Sequence, residues 1–327
     1  MMTEHGTVLY DLPGPRARRI TVVSSVAAVV LIAFVAFWAG YRPLADAGEL
    51  SMDKWGPMVD PGHEHFAAVW RRIGAGFRAT LLAALFAIIS SLLFGTLLAV
   101  LRMQLRAMRT RRFTGLAHPV AWLLRGVGAL LGVGTRVLIE VFRGIPVVLT
   151  IFFTWRVLPE FGLRPPTIQL GFLDLPSLLW TLVIGLTLYN GVVIGEILRS
   201  GMEGLPGGQR EAAQAVGLTS LQTTTGILLP QAYRVMLPAL ISQLVVVLKD
   251  TALGFIILYP EALRVANLTA DALQPRNPIQ LYAVVGAIFI LVNYTLSRLA
   301  VYIERRLARG RRGGARPRPP ARVPAAG

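Results

Sequence analysis

The residues whose types and order have chemical meaning gather in one polar stretch between two apolar runs. It reads Arg199, Ser200, Gly201, Met202, Glu203, Gly204, Leu205, Pro206, Gly207, Gly208, Gln209, Arg210, Glu211, Ala212, Ala213, Gln214, Ala215, Val216, Gly217. Pro206 with Gly207 and Gly208 breaks the preceding element. Residues 209–216 are alanine-rich and predict a short helix. Gly217 is placed to end that helix in a left-handed cap. Thr219 and Gln222 have the spacing of a capping box for a second helix, which Pro230 ends or kinks. The expectation is a helix–turn–helix that shows small side chains to a partner and offers Glu211 to a partner's arginine or lysine. The bland alternative is a turn that merely joins two apolar segments.

A second group of polar residues lies inside the apolar runs. Lys249 and Asp250 are adjacent. Neighbouring residues on a helix point about 100° apart, so the two need not pair with each other. An ionisable side chain at membrane depth is by default a candidate for a substrate or ion pathway; a structural ion pair to another helix is an equal alternative. Thr251 follows them, and Asn190 lies within another apolar run. Asn190 can bond a polar substrate or bridge two helices. Glu196 and Arg199 stand three residues apart on the same run, the spacing of a structural pair.

Covalent catalysis has no residues to work with. The only lysines, Lys54 and Lys249, lie outside any G-x-x-x-x-G-K-[ST] setting, so no phosphate-cradling loop is present. There is no G-x-S-x-G elbow and no cysteine. His63, Glu64 and His65 form a short H-E-H run, which without further ligands reads as a solvated loop rather than a metal site. The expectation is a chain that is not an enzyme, with no catalytic residues, metal or cofactor of its own.

Composition says what positions these groups. The 327 residues are 54% hydrophobic and 15% charged, with a mean hydropathy of +0.59; soluble domains carry about a quarter charged residues. About 20 mostly apolar residues cross a bilayer core. Runs at 20–40, 80–101, 145–161, 178–198, 237–258 and 279–302 meet that need. The predicted class is an all-α integral membrane protein of about six transmembrane helices with a cytoplasmic coupling helix–turn–helix. The first run is longer than the roughly 7–15 apolar residues of a signal peptide, so it reads as an uncleaved span despite the small residues around Ala45 and Ala47. Residues 119–141 are apolar but contain Arg125 and Arg136, each costing about 2.5–3.5 kcal/mol at a bilayer centre. They predict an interfacial amphipathic segment.

The net charge is +16, and the arginines cluster between the apolar runs. That pattern fits a membrane protein, with no nucleic acid as partner. Arg16, Arg18, Arg19, Arg102, Arg106, Arg109, Arg199, Arg210, Arg305 and Arg306 all fall on one side of a six-span chain, which places that side and both termini in the cytoplasm. Arg71, Arg72 and Arg78 are outer exceptions that read as interfacial anchors. Residues 1–76 form an N-terminal segment with an extra first span, 77–303 a core containing the cytoplasmic loop 200–235, and 304–327 a basic tail expected to be disordered.

Glu211-Ala212-Ala213 with Gly217 and Ile227-Leu228-Leu229-Pro230 resembles the EAA motif of binding-protein-dependent ABC importer permeases. The segment Glu140-Val141-Phe142-Arg143-Gly144-Ile145-Pro146 is similar to the E-x-F-R-G-T-P element of polar amino acid permeases, with Ile145 in place of threonine. Gly195-Glu196-Ile197-Leu198-Arg199 is similar to a second element of that family, and Lys249-Asp250-Thr251 falls in a third. The likeness is closest to permeases of the glutamate and glutamine type. It implies alternating access in a bacterial plasma membrane, with Glu211, Ala212, Ala213, Gly217 and Pro230 docking on a separate ATP-binding subunit that holds ATP and Mg. It further implies an extracellular substrate-binding protein and a second permease subunit as partners, with lipid around them. A stand-alone channel or secondary transporter is the rival reading; it explains the hydropathy and leaves the Glu211–Pro230 loop without a purpose.

Overall fold

The computed structural model describes residues 14–110, 118–171 and 173–312. In chain order the helices are α1 (Pro15–Val35), α2 (Arg42–Asp46), α3 (Met52–Val59), α4 (Phe66–Thr110), α5 (His118–Gly144), α6 (Val147–Val157), α7 (Ser177–Glu203), α8 (Gly207–Ala215), α9 (Ser220–Gln222), α10 (Leu229–Val235), α11 (Leu237–Asp250), α12 (Ala262–Ala272) and α13 (Pro278–Arg312). One antiparallel hairpin, β1 (Ile168–Leu170) with β2 (Leu173–Leu175), interrupts them.

Six helical stretches are long and apolar enough to cross a membrane: Pro15–Asp46, Phe66–Arg109, His118–Gly144, Ser177–Glu203, Leu237–Ile257 and Pro278–Leu299. The number agrees with the sequence expectation; the third member differs. The run 145–161 is not one helix of spanning length. Pro146 lacks an N–H and disfavours helix at the residue before it, so the chain breaks at Ile145–Pro146. Helix α6 then covers 11 residues before a 3₁₀ turn at Leu158–Phe161. Eleven residues rise about 16 Å, half of a bilayer core.

Packing shows what α5 and α6 do together. Ile139 of α5 shares a cluster with Leu98 and Val192. Further along, a Cβ on Gly185 of α7 would stand 2.8 Å from the Ile151 Cα of α6. The broken pair α5–α6 therefore runs antiparallel to α7. The earlier half of α5 lies beside the arginine-rich end of α4, where Gly128 faces Met108 and Gly132 faces Arg109.

Helices α4 and α7 form the central pair. Gly95 sits against the backbone of Gly191 and Gly195, two small residues one turn apart on α7. Such small residues let membrane helices approach closely. Ser90 and Thr187 add a 2.5 Å hydrogen bond across the pair. Helix α4 has 45 residues, about 68 Å at 1.5 Å per residue, so it overshoots a 30 Å core at both ends.

Near its N-terminal end α4 carries α12, with Gly76 under Ala262 and Thr80 Oγ1 accepting from the Ala262 N–H at 3.1 Å. Tyr259 donates to the Ala79 carbonyl at 3.0 Å. Glu261 caps α12, accepting from the Leu263 and Arg264 N–H groups at 2.8 and 2.6 Å. Lys54 pairs with Glu49 at 2.6 Å, and Gln280 donates to both the Glu49 carbonyl and its side chain. Helix α1 buries none of its residues. Helix α13 continues through Arg312, past the expected start of the tail at 304; residues such as leucine, alanine and arginine favour helix there. The rest of the tail, 313–327, lies outside the described residues, as do residues 1–13.

Candidate functional site

The loop after α7 folds as its residues predict. Pro206 precedes α8, a nine-residue helix. Gly217 adopts φ +81°, the left-handed region open to glycine at little cost. The N–H groups of Leu218 and Gly217 close the end on the Ala213 and Gln214 carbonyls, both at 3.0 Å. Thr219 and Gln222 form the complete capping box. The following turns, Thr223–Leu228, are wound as π-helix, a form that recurs at functional sites. Pro230 follows directly on these turns at the start of α10, and helical winding runs unbroken from Ser220 to Val235, so it does not end the helix; the π-wound turns just before it are the irregularity that the alternative expectation of a kink allows.

Within this loop the motif residues divide. Glu211, Ala212, Gly217 and Pro230 are exposed, and Glu211 makes no ion pair among the described residues. Ala213 is 3% exposed and faces inward, so it serves packing rather than contact. Helix α8 rests on the Thr223–Leu228 turn. Between it and the end of α4 lies a cavity of about 570 Å³, bordered by Met103, Arg106, Arg210, Gln214 and Thr223. The helix thus packs on the Thr223–Leu228 turn and has open space between it and the end of α4.

Of the other candidates, Asn190 of α7 and Asp250 of α11 are brought together, the Asn190 side chain interacting with the Asp250 carboxyl. Asn190 is fully buried. Its Nδ2 donates to the Leu186 carbonyl at 3.1 Å, and its Oδ1 accepts from Gln243 Nε2 at 2.7 Å. It bridges α7 to α11. Asp250 is buried and Lys249 is exposed, so the two diverge as their adjacency requires. Thr251 is buried and donates to the Leu248 carbonyl at 2.6 Å. Glu140, Arg143, Gly144 and Pro146 are exposed at the α5–α6 break, and Glu140 lies within electrostatic reach of Arg102 on α4.

Glu196 and Arg199 do pair, at 3.0 Å, within a larger network. Arg199 also bonds Glu203 at 2.6 Å. From α4, Arg102 binds Glu196 and Arg106 binds Glu203 at 2.5 Å. The arginines of α4 were visible in the sequence as topology signals; nothing in their spacing paired them with carboxylates some 94 positions away. Among the described residues no group of His, Asp and Glu could hold a metal ion.

Residues 114–309 match the family described as binding-protein-dependent transport system inner membrane component. The chain is 39% identical over 270 residues to the glutamate transport system permease protein GluD of Corynebacterium glutamicum, covering 82% of this chain and 85% of that one. It is 31% identical to the probable glutamine ABC transporter permease protein GlnP of Bacillus subtilis, covering 74% and 94%. A solved amino acid ABC transporter, crystallised with histidines, shares the fold at a TM-score of 0.53 and 23% identity, covering 74% of this chain and 96% of that one.

Proposed function

Because the chain belongs to the family of inner membrane components of binding-protein-dependent transport systems, we propose that it is the permease subunit of an ATP-driven importer for polar amino acids of the glutamate and glutamine class. The observation that carries this reading is α8: Glu211 and Ala212 are exposed and uncommitted beside the Gly217 turn, on a helix with open space beneath it. Small residues admit close approach of a partner surface, and a free carboxylate awaits a basic side chain. The names of the two relatives support the substrate class.

In this reading α8 docks on a separate ATP-binding subunit, which holds ATP and Mg. Both chain termini and the α8 loop lie in the cytoplasm, by the arginine distribution. The C-terminal half of α5 together with α6 makes the third crossing, with the Ile145–Pro146 break inside it. A second permease subunit completes the pathway, and an extracellular binding protein delivers the amino acid. ATP binding and hydrolysis shift the permease between outward- and inward-open states only so far as the ATPase binds the two states differently. The α8 arm passes that difference through the Thr223–Leu228 turn into α10 and α11. Asn190 joins α11 to α7, so a displacement of α11 is shared with the central pair.

The test is co-purification with the ATPase. Glu211→Lys reverses a charge on an exposed position without touching a span. The variant is expected to insert normally and to lose the ATPase and uptake together. A variant that retains both excludes Glu211 as a docking residue; a wild type that binds no ATP-binding subunit overturns the importer reading.

A further inference from the structure

Beside the coupling loop lies a smaller cavity of about 200 Å³ whose wall is strongly cationic. Arg102, Arg106 and Arg109 of α4, Arg136 of α5 and Arg199 of α7 line it, with Glu203 as the only acidic residue. The ion pairs already described use three of these arginines on Glu196 and Glu203. Two remain. Arg109 donates to a neutral acceptor, the Ala129 carbonyl, at 2.5 Å, and Arg136 makes no ion pair among the described residues. Glu140, one turn from Arg136, makes none either.

Like charges brought together by three helices repel unless a counter-charge joins them. The pocket is also shaped for these side chains. A Cβ at Gly132 would stand 2.7 Å from Arg109 Nη2, so the absent side chain leaves the notch in which that guanidinium lies. The depth is defined as well. Arg102 is the first charge after the apolar stretch 80–101, and Ile139, one turn from Arg136, packs with Leu98 and Val192. The pocket therefore sits where the hydrocarbon ends. Nearby, α5 exposes Trp122, Leu130 and Leu131, an apolar surface that lipid covers at that level.

We propose that this pocket binds a phosphate-bearing anion, the headgroup of an anionic phospholipid of the cytoplasmic leaflet. Guanidinium forks match phosphate oxygens in pairs, and basic pockets between membrane helices on the cytoplasmic side take such headgroups. The assignment rests on the orientation argued under Proposed function. A bound phosphate ties α4, α5 and α7 together next to the cavity under α8, with which the pocket shares Arg106. Free phosphate has the same chemistry and is separated from lipid by experiment.

The full chain, purified in neutral detergent, is exposed to equal amounts of phosphatidylglycerol and phosphatidylcholine, and retained lipid is counted by native mass spectrometry. A parallel arm follows thermal unfolding with inorganic phosphate against chloride at constant ionic strength. Wild type is expected to prefer phosphatidylglycerol by about tenfold. Arg109→Gln with Arg136→Gln is expected to bring the two lipids near parity, while Arg71→Gln with Arg72→Gln on the outer side keeps the preference. Arg109→Lys with Arg136→Lys retains the charge, loses the fork and gives an intermediate preference if the glutamine pair does not fold. Phosphate stabilisation that needs Arg109 and Arg136, without lipid preference, supports the anion site and overturns the lipid source. A wild type with neither response, or glutamine variants that keep both, overturns the site. No ATPase is present, so this outcome is independent of the coupling test.

Discussion

Gly95 of α4 and Gly191 of α7 meet so closely that a Cβ on Gly95 would lie 2.7 Å from the Gly191 carbonyl oxygen and 2.9 Å from the Gly195 nitrogen. Neither neighbour is a flexible side chain that can yield. Gly95→Ala is therefore expected to push the central helix pair apart and to cost roughly 1–3 kcal/mol. Gly126→Ala on α5 has open space around the new methyl and is expected to be neutral or to stabilise by up to about 1 kcal/mol. Thermal unfolding of the two purified variants checks the contrast.

Gly217 holds φ +81° in the turn after α8. Gly217→Ala is expected to cost about 1 kcal/mol locally, since alanine strains in the left-handed region. Gly217→Asn, which tolerates that region better, is expected to lose less. Because the turn aims α8, coupling suffers more than insertion. Uptake normalised to the amount of protein in the membrane is the measurement, and alanine falling below asparagine is the expected order.

Asn190 bonds Leu186 and Gln243, and its side chain also interacts with the buried Asp250 carboxyl. Asn190→Ala leaves Gln243 without this partner inside the membrane and is expected to destabilise by roughly 1–2 kcal/mol. The loss is expected to be the same whether or not substrate is present. A change in substrate affinity at unaltered stability would instead assign Asn190 to the transport pathway.

Burial pushes the Glu261 carboxyl up to about 7, against the lowering effect of the Leu263 and Arg264 N–H groups. An unfolded glutamate titrates near 4.5. Between those values the folded chain holds a proton that the unfolded chain has released, so stability falls as pH rises from about 4.5 to 7. Glu261→Gln is expected to remove that slope. Unfolding temperatures of wild type and variant across this range test it, and parallel curves contradict it.

The fold of the loop after α7 was legible because each of its signals is local: a proline and two glycines before α8, a glycine at its end, a threonine and glutamine three residues apart. The inward turn of Ala213 was not, since which face of α8 packs depends on Thr223–Leu228 beneath it. Apolar length identified five of the six spanning stretches. It failed at Pro146, where one missing N–H shortens a plausible span to 11 residues and makes α5 its partner. The Glu196–Arg199 pair followed from helical spacing. The wider network with Arg102, Arg106 and Glu203 needed the tertiary register of α4 against α7. The same holds for the bonds of Tyr259 to Ala79 and of Ala262 to Thr80, whose partners lie about 180 positions apart.

The chain has no cysteine, so one introduced thiol is unique, and this gives the most direct test of the coupling claim. Ala212→Cys, on the exposed face of α8, is labelled with a short photo-crosslinker in membranes that contain the ATP-binding subunit. Ala213→Cys, turned inward, is the paired control. The expected result is an adduct between position 212 and the ATP-binding subunit, with its yield changed by ATP, and little labelling at 213. Efficient labelling at 212 with no adduct to an ATP-binding subunit, with or without ATP, contradicts the account.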